Sequence, residues 1–500
     1  MKGVARVLAL SMVLFGGSKA WALGGFYLPV GDGALRADLQ LLVDAGVINL
    51  PLMAWPLPRA DVAAALDAGD EPDFDDAHLR LAFERVRAKI ALPDADAHGF
   101  VQVDTRAGEP ALLRDFDTVA REEGELSLAA GASNDTVALV ARLTAATSPA
   151  DNQVLRGDGS ELTFHLGNWL VGANTLDRWW GPGQESSLIL SNNARPMPLL
   201  AIDRATSKAF DNVLLHWIGP WRLNILFGQM DNHRRDIPRP LFLGLRVEFQ
   251  PLPWLDLAMS RTNQFCGKGR ICDLQTVKNL LLGNDNVGTD VDAAQQPGNG
   301  LAGFDLRIRS PWSRLPLAIY AQAIGEDESH YHPDKYLGLF GAQWWVADDD
   351  GGSWRGALEY SDTTCSFQRG TDGPLKPHFN CAYNNNLYDV EGYRYLGRTL
   401  GYTTDNDSRL LDASVRYARP QGDEWRVKLL AGNLNRDQST YDPYNTVAHY
   451  ATLYRAVEGG WRGTFGERTV QLALGAERLV PRTGEISTSL YGVLSWQQNF

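Results

Sequence analysis

The chain ends on the stretch Ile486 to Phe500, which reads ISTSLYGVLSWQQNF. A β-strand places alternate residues on one face, and here that face carries Phe500, Gln498, Trp496, Leu494, Gly492 and Leu490. An apolar face that ends in a terminal aromatic residue is typical of the last strand of an outer-membrane barrel, where it meets lipid. A strand of an ordinary β-sandwich would show the same pattern, so the rest of the chain must decide between the two.

The composition and the first residues indicate an exported protein. The 500 residues include 49 glycines and 15 tryptophans, and the formal net charge of −13 argues against nucleic acid as a partner. Residues 1–22 combine the basic Lys2 and Arg6 with the apolar run VLALSMVLF and a small residue at position 22, which predicts a cleaved signal peptide. The sequence holds no later apolar run long enough for a transmembrane helix.

Residues 23–95 are predicted to form a small helical bundle. Asp32 can cap a helix that runs to about Ala45 and stops at Gly46, and two further helices are predicted at Arg59 to Ala68 and Asp75 to Ile90. Three helices of this size cannot bury a sufficient core alone. We therefore expect them to act as a periplasmic plug that leans on a larger domain.

From residue 96 to residue 500, period-two patterning predicts about 18 antiparallel strands and thus an all-β transmembrane barrel. Three of these strands are placed at 161–172, 186–204 and 210–218. With the helices and the C-terminus in the periplasm, short turns fall inside and long connections fall outside, as barrels require. The long connections are about 266–300, 327–336, 365–407 and 436–448. The same count places Trp179 and Trp180 on the periplasmic side.

The four cysteines form two pairs that are local in sequence. They are Cys266 with Cys272 and Cys365 with Cys381, and each pair falls in one of the two longest outer connections. Export to an oxidising compartment favours two local disulfides. Zinc is the weaker alternative, because these spacings fit no usual zinc site and histidine is scarce nearby.

Several motifs, in their shared order, resemble the Wzi-type capsule-assembly outer-membrane proteins. They are ALRADL at Ala34, DAGVI at Asp44, WPL at Trp55, WGPG at Trp180, SLILSNNARP at Ser187, RDIP at Arg235, SRT at Ser260, AGFD at Ala302, GEDE at Gly325 and EYSD at Glu359. The resemblance covers nearly the whole chain after residue 22. The stretch Phe265 to Cys272 departs from it, because an aromatic-Gly-Gly run without cysteines is expected there.

The resemblance implies an 18-stranded barrel, closed on the periplasmic side by a helical bundle, in the outer membrane of a Gram-negative bacterium. The implied activity is that of a lectin that binds and anchors capsular or related surface polysaccharide. Its expected partners are that polysaccharide, outer-membrane lipid and, during insertion, the barrel-assembly machinery. We expect a monomer that needs no cofactor.

Two outer loops carry the residue types that bind sugars. Aromatic rings stack on pyranose faces, and planar polar groups bind hydroxyl and carboxylate groups. The candidates are Tyr383, Asn385, Tyr388, Tyr393, Arg394, Tyr395 and Arg398 in the first loop, and Tyr441 and Tyr444 in the second. A folded loop whose tyrosines pack on one another would have the same composition.

A second group of residues is predicted to contact the plug. Trp179 and Trp180 are expected to pack on the helices, and Asn192, Asn193 and Arg195 to point into the lumen and bond to the plug or to lumen charges.

Two other functions remain as alternatives. No nucleophile elbow, zinc-protease motif, phosphate loop or ordered calcium loop is present, so we predict no catalytic and no metal-binding residue. The alternatives are an outer-membrane channel for small solutes or oligosaccharides and an outer-membrane enzyme that acts on glycan or lipid.

Overall fold

The computed structural model describes most of the chain after residue 23. The described residues are 24–69, 76–91, 98–117, 120–282, 298–312, 314–326, 328–329, 332–333, 335–368, 377–384, 391–436 and 441–500. The predicted signal peptide, residues 1–22, lies outside them. Within the described ranges, no helix is both long and apolar enough to cross a bilayer.

Strands dominate the structure. The helices are α1 (Gly33–Asp44), α2 (Arg59–Ala68), α3 (Ala77–Ile90) and α4 (Leu274–Leu282), with a 3-10 turn at His216–Ile218. The strands are β1 (Tyr27–Leu28), β2 (Ala54–Trp55), β3 (Leu57–Pro58), β4 (His98–Gly108), β5 (Gly124–Ser133), β6 (Val137–Thr147), β7 (Leu155–Arg156), β8 (Glu161–Leu166), β9 (Trp169–Asn174), β10 (Trp179–Trp180), β11 (Leu199–Arg204), β12 (Trp221–Gln229), β13 (Leu241–Leu252), β14 (Leu255–Phe265), β15 (Gly298–Arg309), β16 (Leu317–Gly325), β17 (Glu328–Ser329), β18 (His332–Pro333), β19 (Lys335–Ala347), β20 (Ser353–Gln368), β21 (Arg394–Tyr395), β22 (Arg398–Thr399), β23 (Arg409–Ala418), β24 (Glu424–Leu434), β25 (Thr452–Phe465), β26 (Arg468–Pro481) and β27 (Ser487–Asn499).

The long strands close into one barrel. Each wall strand pairs antiparallel with its neighbour along the chain, and β27 pairs with β4 to complete the ring. The short pieces β7 and β8 both pair with β6 and together make one interrupted strand. The described part of the chain therefore forms a closed barrel of 18 strands, which confirms the predicted fold class.

The predicted strand at 161–172 is wrong, because this segment contains two strands. Strands β8 and β9 are joined by the two-residue turn Gly167–Asn168, in which Gly167 has a φ of +62° and Leu166 pairs with Trp169. Glycine before asparagine is a hairpin signal. The turn was missed because the residues on both sides of it are mostly apolar and read as one continuous strand.

Two further predicted strands are also wrong in extent or in kind. The segment 210–218 lies in an irregular connection that holds the 3-10 turn, and only the end of 186–204 is a wall strand, β11. One strand too few at 161–172 and one too many at 210–218 cancel, which is why the predicted number of strands still agrees.

The extra turn changes the side to which the connection 175–198 belongs. This connection leaves the wall at the same end as the long connections after β14 and β20. In outer-membrane barrels the long loops face outward. We call this end the outer end and the opposite one the inner end. The placement of Trp179 and Trp180 in a periplasmic turn is therefore wrong, because their connection enters the lumen from the outer end.

The last strand has the predicted faces. Leu490 and Leu494 are exposed on the outside of the barrel, whereas Tyr491 and Val493 are buried on the inside. The alternation shows that the apolar row of β27 belongs to the surface that meets lipid.

Helix α1 forms where its sequence predicts. The Asp32 carboxylate accepts a hydrogen bond from the Leu35 backbone N–H at 3.1 Å, and the helix ends before Gly46, whose φ is +77°. Leu39 and Leu42 are buried in one apolar cluster with Phe83 and Val86 of α3. The helices thus pack on one another through these apolar side chains.

The polar face of α1 is buried as well, because the helix lies within the inner end of the barrel. Asp44 lies 2.7 Å from Arg307 and 2.7 Å from Arg355, which stand near the inner ends of two wall strands. Asp32 lies 2.9 Å from Lys89 and is also paired with Arg462 of the wall. Burial raises the pKa of the Asp44 carboxyl, but attraction by Arg307 and Arg355 outweighs burial, so the pKa lies below its usual range.

We predict that Asp44→Ala releases α1 from the wall. Removal of one partner of a buried ion pair leaves an uncompensated charge and costs about 3–5 kcal/mol. Limited proteolysis of the folded protein should cleave within residues 24–95 at least about tenfold faster than in the parent. Asp67→Ala, at an exposed carboxylate of α2, is the matched control and should not change the rate. Equal rates for both variants would contradict the anchoring role of Asp44.

Candidate functional site

The lumen of the outer half is filled by one chain segment and the loops that fold onto it. We call residues 187–193 the central segment. The Tyr383 hydroxyl donates to the Leu188 carbonyl at 2.8 Å, and the Tyr393 hydroxyl donates to the Ile189 carbonyl at 2.8 Å. Ser191 donates to the Gly401 carbonyl at 2.6 Å. The central segment therefore holds the outer connection between β20 and β23 inside the barrel.

One wall residue fixes the central segment in place. The Gln322 side chain accepts from the Leu188 backbone N–H at 2.7 Å and donates to the Trp180 carbonyl at 2.8 Å. Because an amide side chain has one acceptor and one donor group, Gln322 satisfies two buried backbone groups at once. This contact sets the depth to which the connection 175–198 enters the lumen.

Two of the five residues predicted to contact the plug do contact the N-terminal region. Trp179 pairs with Trp55, and Trp180 pairs with Ala54, in a short antiparallel ladder. The Phe116 ring stands edge-on to both Trp55 and Trp179, at 5.2 Å from each. This is where the loops from the outer end meet the segment that carries the helices.

The other three residues bond to outer connections and not to the helices. Asn192 donates to the Asp115 carbonyl at 2.9 Å, and Asn193 donates to the Thr399 carbonyl at 3.0 Å. Arg195 pairs with Asp158 at 2.8 Å and with Asp151. Their assignment as plug contacts is therefore wrong, whereas the alternative of charged partners holds for Arg195. These polar groups tie the loops of the outer half to one another.

Most of the predicted sugar-binding residues of the first loop are buried. Tyr383 and Tyr393 stack on each other at 6.1 Å between ring centroids and lie in the apolar cluster of the outer half, and Tyr395 is also buried. Asn385 and Tyr388 lie outside the described residues. Because the loop folds into the lumen, its described tyrosines pack on one another and cannot meet a polysaccharide from outside.

Arg394 is committed to an internal ion pair. Its guanidinium lies 2.5 Å and 2.9 Å from the two carboxylate oxygens of Asp405, and it also donates to Asn384 at 2.9 Å. Burial raises the pKa of the Asp405 carboxyl, but attraction by Arg394 outweighs burial, so the pKa lies below its usual range. The Asp405 carboxylate therefore stays charged at neutral pH, and its pair with Arg394 stabilises the loop rather than binding an outside ligand.

The second loop places its tyrosines at the surface. Tyr441 and Tyr444 are 56% and 36% exposed. The Tyr441 ring lies 4.8 Å from the His449 ring and 5.8 Å from the Tyr450 ring. We call Tyr441, Tyr444, His449 and Tyr450 the outer aromatic cluster. The sequence analysis missed its last two members because they follow the predicted loop and were counted with the next strand.

Arg398 belongs to a cationic chamber below the connection between β4 and β5. Arg106, Arg114, Arg121 and Lys428 line the same chamber, whereas Asp115 and Glu458 are its lining carboxylates among the described residues. Burial, with repulsion from Arg121 and Arg398, lowers the pKa of Arg114 to about 9. Arg121 is paired with Asp177 at 3.2 Å and Lys428 with Asp115 at 2.9 Å. The lining still holds more cations than carboxylates, and this balance favours an anionic group in the chamber.

Both predicted disulfides are present. Cys266 is bonded to Cys272 and Cys365 to Cys381. The second bond joins the outer part of β20 to the chain just before Tyr383, so it helps to hold the buried loop against the wall. Within the described ranges, no group of three or more histidine, cysteine, aspartate or glutamate residues could hold a metal ion.

These features define a class of protein: an outer-membrane barrel whose lumen is filled from both ends and whose outer loops carry an exposed aromatic cluster. A family model described as capsule assembly protein Wzi matches residues 93–489. The chain therefore belongs to the Wzi capsule-assembly family, and the barrel and the family together indicate the outer membrane of a Gram-negative bacterium.

Two relatives support this assignment. The chain is 29% identical over 468 residues to an uncharacterized 55.8 kDa protein in the cps region of Klebsiella pneumoniae, across 92% of this chain and 87% of that protein. It is similar to the solved structure of Wzi from Escherichia coli, with 25% identity, a TM-score of 0.79 and coverage of 94% of this chain and 99% of that one. That protein is described as an outer-membrane carbohydrate-binding β-barrel involved in group 1 capsule assembly.

Proposed function

We propose that this barrel binds a surface polysaccharide at its outer end and holds it at the cell surface, as a step in capsule assembly. The observation that carries the proposal is the outer aromatic cluster, which presents Tyr441 and Tyr444 to the exterior on a rigidly filled barrel. The description of the Escherichia coli relative as a carbohydrate-binding barrel supports the same activity.

The chemistry of the cluster suits a sugar chain. Exposed tyrosine rings offer flat apolar faces to pyranose rings, and their hydroxyl groups donate and accept hydrogen bonds. The Tyr441 ring already packs against the rings of His449 and Tyr450, so little ordering of this ring is needed when a ligand binds. Tyr383, Tyr393 and Arg394 then act indirectly, because they support the loops below the binding surface.

An acidic polysaccharide would gain a second contact. The cationic chamber around Arg398 lies under the outer loops and favours carboxylate groups of sugar acids. In this proposal the aromatic cluster binds the sugar rings, and the chamber selects chains that bear acidic groups.

A filled lumen favours binding over the two alternative functions. The outer half contains the apolar cluster around the central segment, and the inner half contains the cluster around α1 and α3. A diffusion channel requires an open water path, whereas these side chains occupy the lumen at two levels. We propose a non-enzymatic monomer, inserted by the barrel-assembly machinery after cleavage of residues 1–22, with the helices as an inner plug.

We predict that Tyr441→Ala combined with Tyr444→Ala weakens polysaccharide binding about tenfold or more, because each stacking contact is worth roughly 1 kcal/mol. Purified full-length protein is first bound to an array of bacterial surface polysaccharides, and the best binder is then titrated against the variants. Trp217→Ala is the matched control, since this tryptophan is 58% exposed but lies in an inner connection. Equal affinity for the parent and the double tyrosine variant would overturn the proposed surface.

We also predict that Arg398→Gln lowers the affinity for acidic polysaccharides and leaves the affinity for neutral ones unchanged. Loss of one charge-assisted hydrogen bond costs roughly 1.5–3 kcal/mol, which is about tenfold or more in affinity. The loss should appear for acidic polysaccharides in the same titration and be absent for neutral ones. An equal loss for both kinds of chain would point to a structural role for Arg398 and count against the chamber as an acid site.

The helical plug can be tested by deletion of residues 24–95. We predict that the truncated barrel still inserts into planar bilayers and stays closed to ions. The deletion removes the pairing of Trp179 and Trp180 with the N-terminal region, but it leaves the hydrogen bonds by which Gln322, Tyr383 and Tyr393 hold the central segment in the outer half. Single-channel conductance is the measurement, and the full-length protein is the reference. A steady open pore in the truncated form alone would show that the helices are the only effective seal. A steady pore in the full-length protein would favour the channel alternative.

A further inference from the structure

The wall carries an unusual covered patch at its outer rim. On β14, Thr262 and Gln264 point into the lumen, where they bond to the Tyr393 hydroxyl at 2.9 Å and to the Gly392 carbonyl at 2.9 Å. Because side chains alternate along a strand, Asn263 and Phe265 point outward, toward the membrane. Both are nonetheless buried, at 1% and 4% exposure. Met259, lower on the same outward face, is 48% exposed.

Helix α4 contributes to this cover. Leu280 of α4 is buried in one cluster with Phe265 and Cys266, and Leu241 and Leu243 of the neighbouring strand pack against the same cluster. Leu241 pairs with Phe265 and Leu243 with Asn263, so both leucines share the outward face. The chain that follows β14 therefore turns back along the outside of the barrel instead of crossing its mouth.

The local sequence explains the turn. Cys266 and Gly267 both have a positive φ, 57° and 106°, which reverses the chain directly after the strand. The disulfide to Cys272 closes this reversal, and the Lys268 backbone N–H donates to the Pro238 carbonyl at 2.9 Å. Asp273 then caps α4 by accepting from the Thr276 backbone N–H at 2.8 Å. This is the stretch in which the sequence departs from the family pattern.

The other side of α4 and the residues just before the helix expose apolar side chains. Leu274 is 88% exposed and Ile271 is 58% exposed, and Val277 stands one helical turn from Leu274. Lys268 and Lys278 are exposed in the same segment. A short helix with one face on a lipid-facing wall, free apolar residues and flanking lysines has the composition of a helix at a membrane interface.

We propose that α4 is an interfacial helix that rests in the outer leaflet against the barrel wall. Ile271, Leu274 and Val277 contact acyl chains, and Lys268 and Lys278 reach lipid phosphate groups. The occupant of this surface is lipid, because the patch is continuous with the outward face that carries Phe227 and Met259. A second copy of the chain would have to present an apolar surface at the same height on the barrel. Lipid presents such a surface to the whole outward face.

The test places a photo-crosslinking benzoylphenylalanine at position 274 of the full-length protein. The protein is folded into vesicles of phosphatidylethanolamine and phosphatidylglycerol that also contain lipopolysaccharide. Position 259 on the bare wall is the lipid-facing control, and position 67, which is exposed on α2, is the solvent-facing control. We expect lipid adducts at 274 and 259 and none at 67. No lipid adduct at 274, or an adduct to a second copy of the chain, would overturn the proposal.

The role of the lysines is tested in the same vesicles. Lys268→Gln combined with Lys278→Gln should lower the lipopolysaccharide share of the adducts at 274 by roughly fivefold or more, since each lysine adds attraction to anionic lipid. Adducts to phosphatidylethanolamine should persist. Lys208→Gln, at an exposed lysine of an inner connection, should change neither. An unchanged lipopolysaccharide share in the double variant would show that the lysines do not bind lipid phosphate.

Discussion

The polar inward face of the wall is the constraint on which the rest of this structure depends. Closure of the barrel turns alternate side chains into the lumen. Each segment that fills the lumen must therefore offer hydrogen-bond or ion-pair partners to these polar side chains. Glu359 accepts from the Gln184 backbone N–H at 2.6 Å and from the Tyr320 hydroxyl at 3.0 Å. Gln322 accepts from the Leu188 backbone N–H of the central segment, and Arg307 and Arg355 pair with Asp44 of α1. Helices and loops are thus held by the same kind of contact at the two ends.

The architecture could be predicted because its signals are local and repeated. Period-two patterning marks the long strands, the cap at Asp32 marks α1, and short spacings within an exported chain mark the two disulfides. One error, the single strand at 161–172, came from a missed local turn signal, whereas the strand expected at 186–204 failed because its surroundings overrode the local pattern. The apolar run Leu188 to Leu190 has the composition of a wall strand, yet it lies inside the lumen because Gln322 and the loop tyrosines bind its backbone. No periodicity distinguishes such a buried segment from a strand.

The candidate site was harder to predict, because the same residue types serve two purposes. Tyrosine, asparagine and arginine bind sugars, and they also fill a polar lumen in which every buried group needs a partner. Tyr383 and Arg394 fill the lumen, whereas Tyr441 and Tyr444 stay at the surface. The difference lies in whether a loop turns inward, and that depends on the central segment, which is distant in sequence. Only the structure therefore shows which of these side chains are exposed.

Three of the outer connections run in different directions, and each direction requires different residue types. The connection between β20 and β23 turns inward and becomes core, the one between β24 and β25 stays at the mouth, and the one after β14 turns back along the wall. The first needs buried hydrogen-bond partners, the second needs exposed rings, and the third needs apolar residues on both sides of a short helix. Because Leu280 of the third loop packs on the outward-facing Phe265, a β-strand that ends in a buried outward residue indicates a loop that lies against the outside of the wall. That rule can be read from burial and alternation alone, without any knowledge of the ligand.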